Sequence, residues 1–311
     1  MTKKVAVLGA GIVGLYTASK LKEKGFDVFL FEKEEIENVG KKPCSALVSK
    51  RIHNFVEVND DLILNTIKKC LIKFGKKEVL LKFNPEHIVI DKRKLILKMI
   101  KEAKFRIVFN IKNIDHETFD YVIGADGASS PLRKSLDLKD PDFKIGLKVE
   151  DDVLDSSDMV QTFKTENGFC WIIPKGKHIE YGVFEKKENI KKEWQAFNKK
   201  GERSGFAVIP QGLVLADSDK YALVGDATGL TKPWSGGGII WQLYQADMLV
   251  SSFPNFKEYN RKVKSFFIPK IIQGKVANKV VNENLSFLIP SSLEYDNDFP
   301  NFLKSLFRKN F

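Results

Sequence analysis

The sequence predicts an α/β protein in which a parallel, nucleotide-binding sheet is interrupted by a second, antiparallel sheet. Three observations carry this reading. A glycine-rich turn joins an apolar run to a helical pattern at the N-terminus. Buried strands ending in Gly and Asp recur near residues 121 and 222. A series of β-rich segments separates those two strands. The 311 residues, 43% of them hydrophobic, allow one large domain or two interleaved ones with a sizeable core.

Val5-Ala6-Val7-Leu8 is the first strand, followed at once by Gly9-Ala10-Gly11-Ile12-Val13-Gly14. Leu15 to Lys24 has helical spacing, and Gly25 closes it. Phe26 to Phe31 reads as a second strand ending on Glu32, eighteen residues past Gly14. This order suits a dinucleotide. Gly9 permits the tight turn, Gly11 lets a pyrophosphate approach the backbone, and Gly14 lets helix and strand pack closely. Free N–H groups at Ile12 and Val13 and the positive helix end face the phosphates. Glu32 can accept from a ribose diol, with Lys33 beside it. The domain is Rossmann-like.

Lys33 to Lys42 is polar and loop-like, and Pro43-Cys44-Ser45-Ala46-Leu47-Val48-Ser49 is small and apolar with one thiol. Residues 50–69 mix helical and irregular signals. Cys70 to Phe74 and Glu78 to Phe83, split by Gly75-Lys76-Lys77, form a hairpin pattern. Ile88 to Ile90 is a strand, Asp91 a helix cap, and Lys92 to Ala103 a helix. Phe105 to Phe109 returns as a strand. Tyr121-Val122-Ile123 is a buried strand running into Gly124-Ala125-Asp126-Gly127.

Residues 143–149, 158–164, 168–174, 178–184 and 205–209 alternate or are β-rich, which predicts an antiparallel sheet. Tyr221 to Val224 is a buried strand before Gly225-Asp226, and Pro233-Trp234-Ser235-Gly236-Gly237-Gly238 leads into a helix. The strands near 5, 28, 107, 121 and 222 belong to one parallel sheet. The predicted cofactor domain is therefore discontinuous, over residues 1–64, 92–136 and 213–260. Residues 65–91 and 137–212 make the substrate domain, and 261–311 a C-terminal helical segment. The crevice between the domains is the expected site.

Cys44, Cys70 and Cys170 are too few and scattered for a disulfide framework, so a reducing cytoplasm fits. A strand begins within four residues of the N-terminus, leaving no room for a signal peptide, and no apolar run reaches a membrane-spanning length. Lys and Arg number 51 against 40 Asp and Glu, a net charge of +11. The excess favours anionic partners; no nucleic-acid recognition motif accompanies it, and no nucleic-acid partner is expected. His53, His87, His116 and His178 lack metal-ligand spacing, so no metal is expected.

Gly9-Gly11-Gly14 with Glu32, the Gly124-to-Gly127 turn and Gly225-Asp226 resemble the FAD-binding fold shared with p-hydroxybenzoate hydroxylase. From residue 3 to about 250 the chain more closely resembles the geranylgeranyl reductase family, including archaeal digeranylgeranylglycerophospholipid reductases. Pro43 to Ser49 is similar to that family's signature in the first third. Phe169-Cys170-Trp171-Ile172-Ile173-Pro174 is similar to its YxWxFP element, with Phe and Ile in place of Tyr and Phe. Gly225 to Gly229, Pro233 and Gly236 to Ile239 are similar to its second flavin loop, and Asp91-Lys92 to its Asp-Arg pair.

The resemblance implies FAD as cofactor and saturation of isoprenoid double bonds of membrane-lipid precursors. It implies cofactor contacts at Ser45, Lys92, Asp126, Asp226, Gly237, Gly238 and Ile239. Asp226 would take the ribityl hydroxyls, and the helix after Gly238 would face the flavin ring. Cys44 would also touch the cofactor, and it either donates a proton or shapes the pocket. Phe169, Trp171, Pro174 and Trp234 would line a prenyl cavity; on pattern alone the aromatics are equally a packed core. No second GxGxxG occurs, so an external donor is expected: a reduced nicotinamide, a ferredoxin or similar. The rival readings are a flavin monooxygenase of the same fold and a non-catalytic flavin- or lipid-binding protein. A prenylated lipid substrate implies peripheral contact with an anionic membrane, at the inner face of the cell membrane. Phe302, Leu303, Leu306 and Phe307 with Lys304, Arg308 and Lys309, within 299–311, form an interfacial-helix pattern.

Overall fold

A computed structural model describes residues 2–282 and 291–300. The chain runs β1 (Lys4–Leu8), α1 (Ile12–Glu23), β2 (Asp27–Phe31), β3 (Leu47–Ser49), β4 (Ile63–Phe74) and β5 (Lys77–Ile90). Next come α2 (Lys92–Glu102), β6 (Arg106–Val108), β7 (Tyr121–Gly124), α3 (Pro131–Ser135), β8 (Asp142–Asp151) and β9 (Met159–Lys164). Then follow β10 (Phe169–Pro174), β11 (Ile179–Glu185), α4 (Ile190–Phe197), β12 (Arg203–Gln211) and β13 (Tyr221–Leu223). The last described elements are α5 (Ile239–Ser252), α6 (Phe256–Asn282) and β14 (Ser292–Tyr295).

The first sheet has the order β13-β7-β1-β2-β6, with every pairing parallel. Val5, Ala6 and Val7 are each 0% exposed, so β1 is apolar on both faces rather than alternating, as a covered parallel strand must be. Gly9 starts the turn into α1 at φ +104°, and any β-carbon there would overlap the Ala125 carbonyl. Asp91 caps α2 by accepting from the Lys94 N–H at 3.0 Å. α1 packs against α5, and α5 against α6, so these helices share one core with the sheet.

The second sheet runs β12-β8-β11-β10-β9-β4-β5-β14, with β3 also on β5. It is mixed, not purely antiparallel, because β4–β9 and β5–β14 are parallel pairs. Leu47–Ser49, from the small apolar segment after the loop, pairs with β5 and joins this sheet. One expectation is corrected: Ser292–Tyr295, expected within a helical C-terminal segment, is a strand on β5. Residues 50–69, read as mixed, hold the start of β4, whose bulges near Asn65 and Lys69 blur its alternation. The amphipathic pattern proposed over 299–311 lies outside the described residues beyond Pro300. Phe299 itself packs edge-on against Tyr244 and Phe266. No helix among the described residues is long and apolar enough to cross a membrane.

Candidate functional site

A cavity of about 2420 Å³ opens between the two sheets. Three pieces of backbone meet at its polar half. Gly11 caps α1 with no side chain on the helix end, and the first intrahelical bond is made by the Leu15 N–H to the Gly11 carbonyl. The amides of Ile12, Val13 and Gly14 therefore have no intrahelical acceptor and lie on the cavity wall. A β-carbon at Gly11 would meet nothing within 4 Å, so the space over this helix end is open. Glu32, 8% exposed, accepts from the Ala10 N–H at 2.7 Å and the Glu34 N–H at 3.0 Å. A carboxylate has lone pairs to spare after two such bonds, so it can still take a diol.

The second piece is the Gly225–Thr228 turn, where Asp226 accepts from Gln242 at 2.7 Å and faces Lys42 at 3.6 Å. The third is the N-terminus of α5, capped by Gly238 without a side-chain bond. Two helix N-termini thus face one cavity, each with unpaired donors and a positive dipole end. Asp126 lies on the wall too. Its Oδ2 accepts from the Leu132 N–H at 3.0 Å, while its buried Oδ1 has no partner among the described residues. Burial holds its carboxyl above the usual range, against the pull of Ser130 and Leu132. Open space over Gly11, unpaired helix amides and an orphaned carboxylate oxygen fit a dinucleotide cofactor.

The other half of the cavity is one face of the second sheet. A strand shows every second residue to one side. Cys70, Ile72 and Phe74 of β4 line the cavity, as do Val79, Leu81 and Phe83 of β5. β10 contributes Phe169, Trp171 and Ile173, and β14 contributes Leu293 and Tyr295. This face holds a buried apolar cluster that, among the described residues, borders the cavity. The Trp171 ring lies over Gly182, its partner on β11, and a β-carbon at Gly182 would overlap the indole. Burial pushes the Cys70 thiol up to about 12, so it stays a neutral, poorly reactive part of this wall.

Between the halves runs the 43–46 segment, with Cys44 exposed on the wall and Ala46 at φ +53°. A buried carboxylate holds this segment. Glu180, 0% exposed, accepts from the Ser45 hydroxyl and, at 2.9 Å, from the Trp171 indole N–H. Its second oxygen meets the ammonium groups of Lys148 and Lys175, both at 2.7 Å. Burial alone would raise Glu180, but Lys175 and Lys148 hold it below the usual carboxylate range. Lys148 also donates to the Cys44 carbonyl at 3.4 Å. The apolar wall and the thiol segment are thus tied to one charge.

The sequence-predicted residues Gly9, Gly11, Ile12, Val13, Gly14, Glu32, Cys44, Ser45, Asp126, Asp226, Gly237, Gly238 and Ile239 all line this one cavity. So do Lys33, which faces Glu34 at 3.7 Å, and Lys92, which donates to the Lys42 carbonyl at 2.6 Å. Phe169, Trp171 and Trp234 are on the wall, but Pro174 is not. Pro174 has the parity of Cys170 and Ile172, which turn to the opposite face of β10, and its carbonyl accepts from Asn65. Missed from sequence were Glu180, Lys148, Lys175, Gly182 and Gln242. Gly182 alone left a signal, an isolated glycine inside a strand pattern.

Comparisons with known proteins agree with this geometry. A family model described as an NAD(P)-binding Rossmann-like domain matches residues 7–36. The chain is 24% identical to a geranylgeranyl diphosphate reductase of Synechocystis sp., over 80% of this chain and 74% of that protein. It is 23% identical to the chloroplastic geranylgeranyl diphosphate reductase of Nicotiana tabacum, over 84% and 68%. Among solved structures, a geranylgeranyl bacteriochlorophyll reductase-like protein from Thermoplasma acidophilum superposes with a TM-score of 0.77 at 19% identity, over 92% and 90% of the two chains. A probable FAD-dependent monooxygenase from Pseudomonas aeruginosa superposes at 0.68 and 16%, over 92% and 98%. The cofactor these findings indicate is FAD. The chain thus has the Rossmann-type fold of FAD-dependent oxidoreductases, and among curated proteins it is similar to the geranylgeranyl reductases.

Proposed function

We propose that the chain is an FAD-dependent reductase that saturates isoprenoid (geranylgeranyl) double bonds of membrane-lipid precursors. One observation carries the reading: a single cavity joins a dinucleotide cradle to a long apolar sheet face, with a thiol where they meet. At about 2420 Å³ it exceeds the ~300–1,000 Å³ of an ordinary ligand pocket, so a cofactor and a long-chain substrate can share it. The amides of Ile12 and Val13 would hold the pyrophosphate, Glu32 the ribose diol and Asp226 the ribityl hydroxyls. The positive end of α5 suits the electron-rich side of a reduced ring.

When bound and reduced by an external two-electron donor, FAD supplies the hydride for one alkene carbon. The chain's residues do the rest. The apolar faces of β4, β5 and β10 exclude water and align the chain. The Cys44 thiol stands between substrate wall and cradle, placed to deliver the balancing proton to the other carbon. In the rival monooxygenase reading, oxygen is consumed and substrate gains an oxygen atom; the apolar face and the thiol favour the reductase. Mass spectrometry of geranylgeranyl lipids from cells expressing the protein should show added hydrogen pairs, and unchanged lipids would reject the reading. Cys44→Ala should lower turnover about 10²–10⁴-fold and retain FAD, the usual scale for losing a general acid; unchanged turnover removes Cys44 from the reaction.

A further inference from the structure

The geometry points to the exposed face of α6 as the surface that docks on an anionic lipid bilayer, delivering a prenyl chain to the cavity mouth. Resting on the reductase reading, this names the surface on which the enzyme would meet its substrate. Ile268, Ile272 and Val276 are 40%, 56% and 57% exposed and recur every four residues, so they form one stripe. Large apolar side chains rarely stand this open in a row on a covered helix. The same arc carries Lys264 and Lys275, both exposed. Along its 27 residues α6 holds seven Lys and Arg against one Glu, a concentrated share of the chain's net +11. Apolar stripe and basic flank together are the signature of a helix lying in a membrane interface.

The stripe is continuous with the site. Ile272, Lys275 and Val276 also line the cavity. Gly274 on the other side of α6 lies against the Trp234 indole, where a β-carbon would overlap the ring. α6 is thereby seated on the loop that borders the cavity. A chain leaving the bilayer at Ile272 and Val276 would enter the same cavity that the apolar wall lines. The opposite face of α6 buries Tyr259, Val263, Phe267 and Ile271, so the helix presents its stripe from a fixed position.

The test is co-sedimentation of the full-length protein with vesicles of equal parts phosphatidylglycerol and phosphatidylcholine, and with phosphatidylcholine alone. Binding to the anionic vesicles, weakened by salt, is expected. Ile268→Glu/Ile272→Glu should lower binding by at least about tenfold, since two apolar anchors become charged. Flavin content and thermal midpoint confirm that the variant is folded, and Ile268→Ser serves if it is not. The proposal is overturned if wild type fails to bind, or if the double variant binds like wild type. It is also overturned if deleting residues 301–311 abolishes binding that the double variant keeps. A variant that merely converts a dimer to a monomer in sedimentation assigns the stripe to a second copy instead. Turnover of detergent-dispersed geranylgeranyl lipid by wild type is read separately. Its absence with vesicle binding intact rejects the reductase reading and leaves the docking face standing.

Discussion

Glu180 shows how much one side chain organises at the residue scale. It collects two hydroxyl or indole donors and two ammonium groups in a place without solvent. Removing its charge would leave Lys148 and Lys175 buried beside half of their partner, so Glu180→Gln should destabilise the fold by about 3–5 kcal/mol in urea unfolding. A loss below about 1 kcal/mol would mean that the lysines turn to Glu150 or to solvent at no cost. His87 makes a second residue-scale prediction. It is 1% exposed, and burial, then the Lys232 charge, push it down to about 4. A histidine depressed in the folded state stabilises fully above its unfolded value near 6.5, and that contribution is lost as pH falls toward 4. Glu150 acts lower: burial opposes its ionisation, but Lys148 and Lys175 hold it at about 2, so its contribution fades between about 4.3 and 2. The thermal midpoint should therefore drop between pH 6.5 and 4, and His87→Gln should flatten that slope. An unchanged slope would place the acid sensitivity elsewhere.

At the scale of elements, the turn into α1 separates folding from binding. Gly14 lies against the Gly9 carbonyl, and a β-carbon there would overlap backbone. Gly11 has φ −72° and open space beside it. Gly14→Ala should cost about 3 kcal/mol or more in stability. Gly11→Val should leave the thermal midpoint of the flavin-free protein nearly unchanged and empty it of flavin. Flavin content equal to wild type in Gly11→Val would move the pyrophosphate elsewhere. The same turn explains what the sequence made legible. Strands near 5, 28, 107, 121 and 222 stood out because each is a short, mostly apolar run, and all five pair in one sheet. That Gly9, Gly11, Gly14 and Glu32 meet on one cavity wall was legible because local spacing alone brings them together. Glu180 was not, because its partners on β8 and β10 are set by strand register over tens of residues. Pro174 was misplaced for a related reason: a motif gives composition, but parity along β10 decides which face a residue takes. β14 escaped notice because four residues, Ser292 to Tyr295, become a strand only through the exposed edge that β5 offers them.

At the scale of the whole molecule, the two sheets divide the labour. The parallel sheet brings helix ends and carboxylates to one side of the cavity, and the mixed sheet sets an apolar wall on the other. The 43–46 segment joins them and carries the thiol. Saturation of a double bond needs hydride and proton on adjacent carbons and no oxygen. The most direct measurement is therefore anaerobic: protein reduced to its hydroquinone is mixed with a geranylgeranyl lipid, and flavin absorbance is followed. The account predicts that the oxidised flavin band returns without oxygen, in step with the appearance of lipid carrying one added hydrogen pair. A flavin that stays reduced until oxygen enters, with oxygen then found in the product, would contradict it.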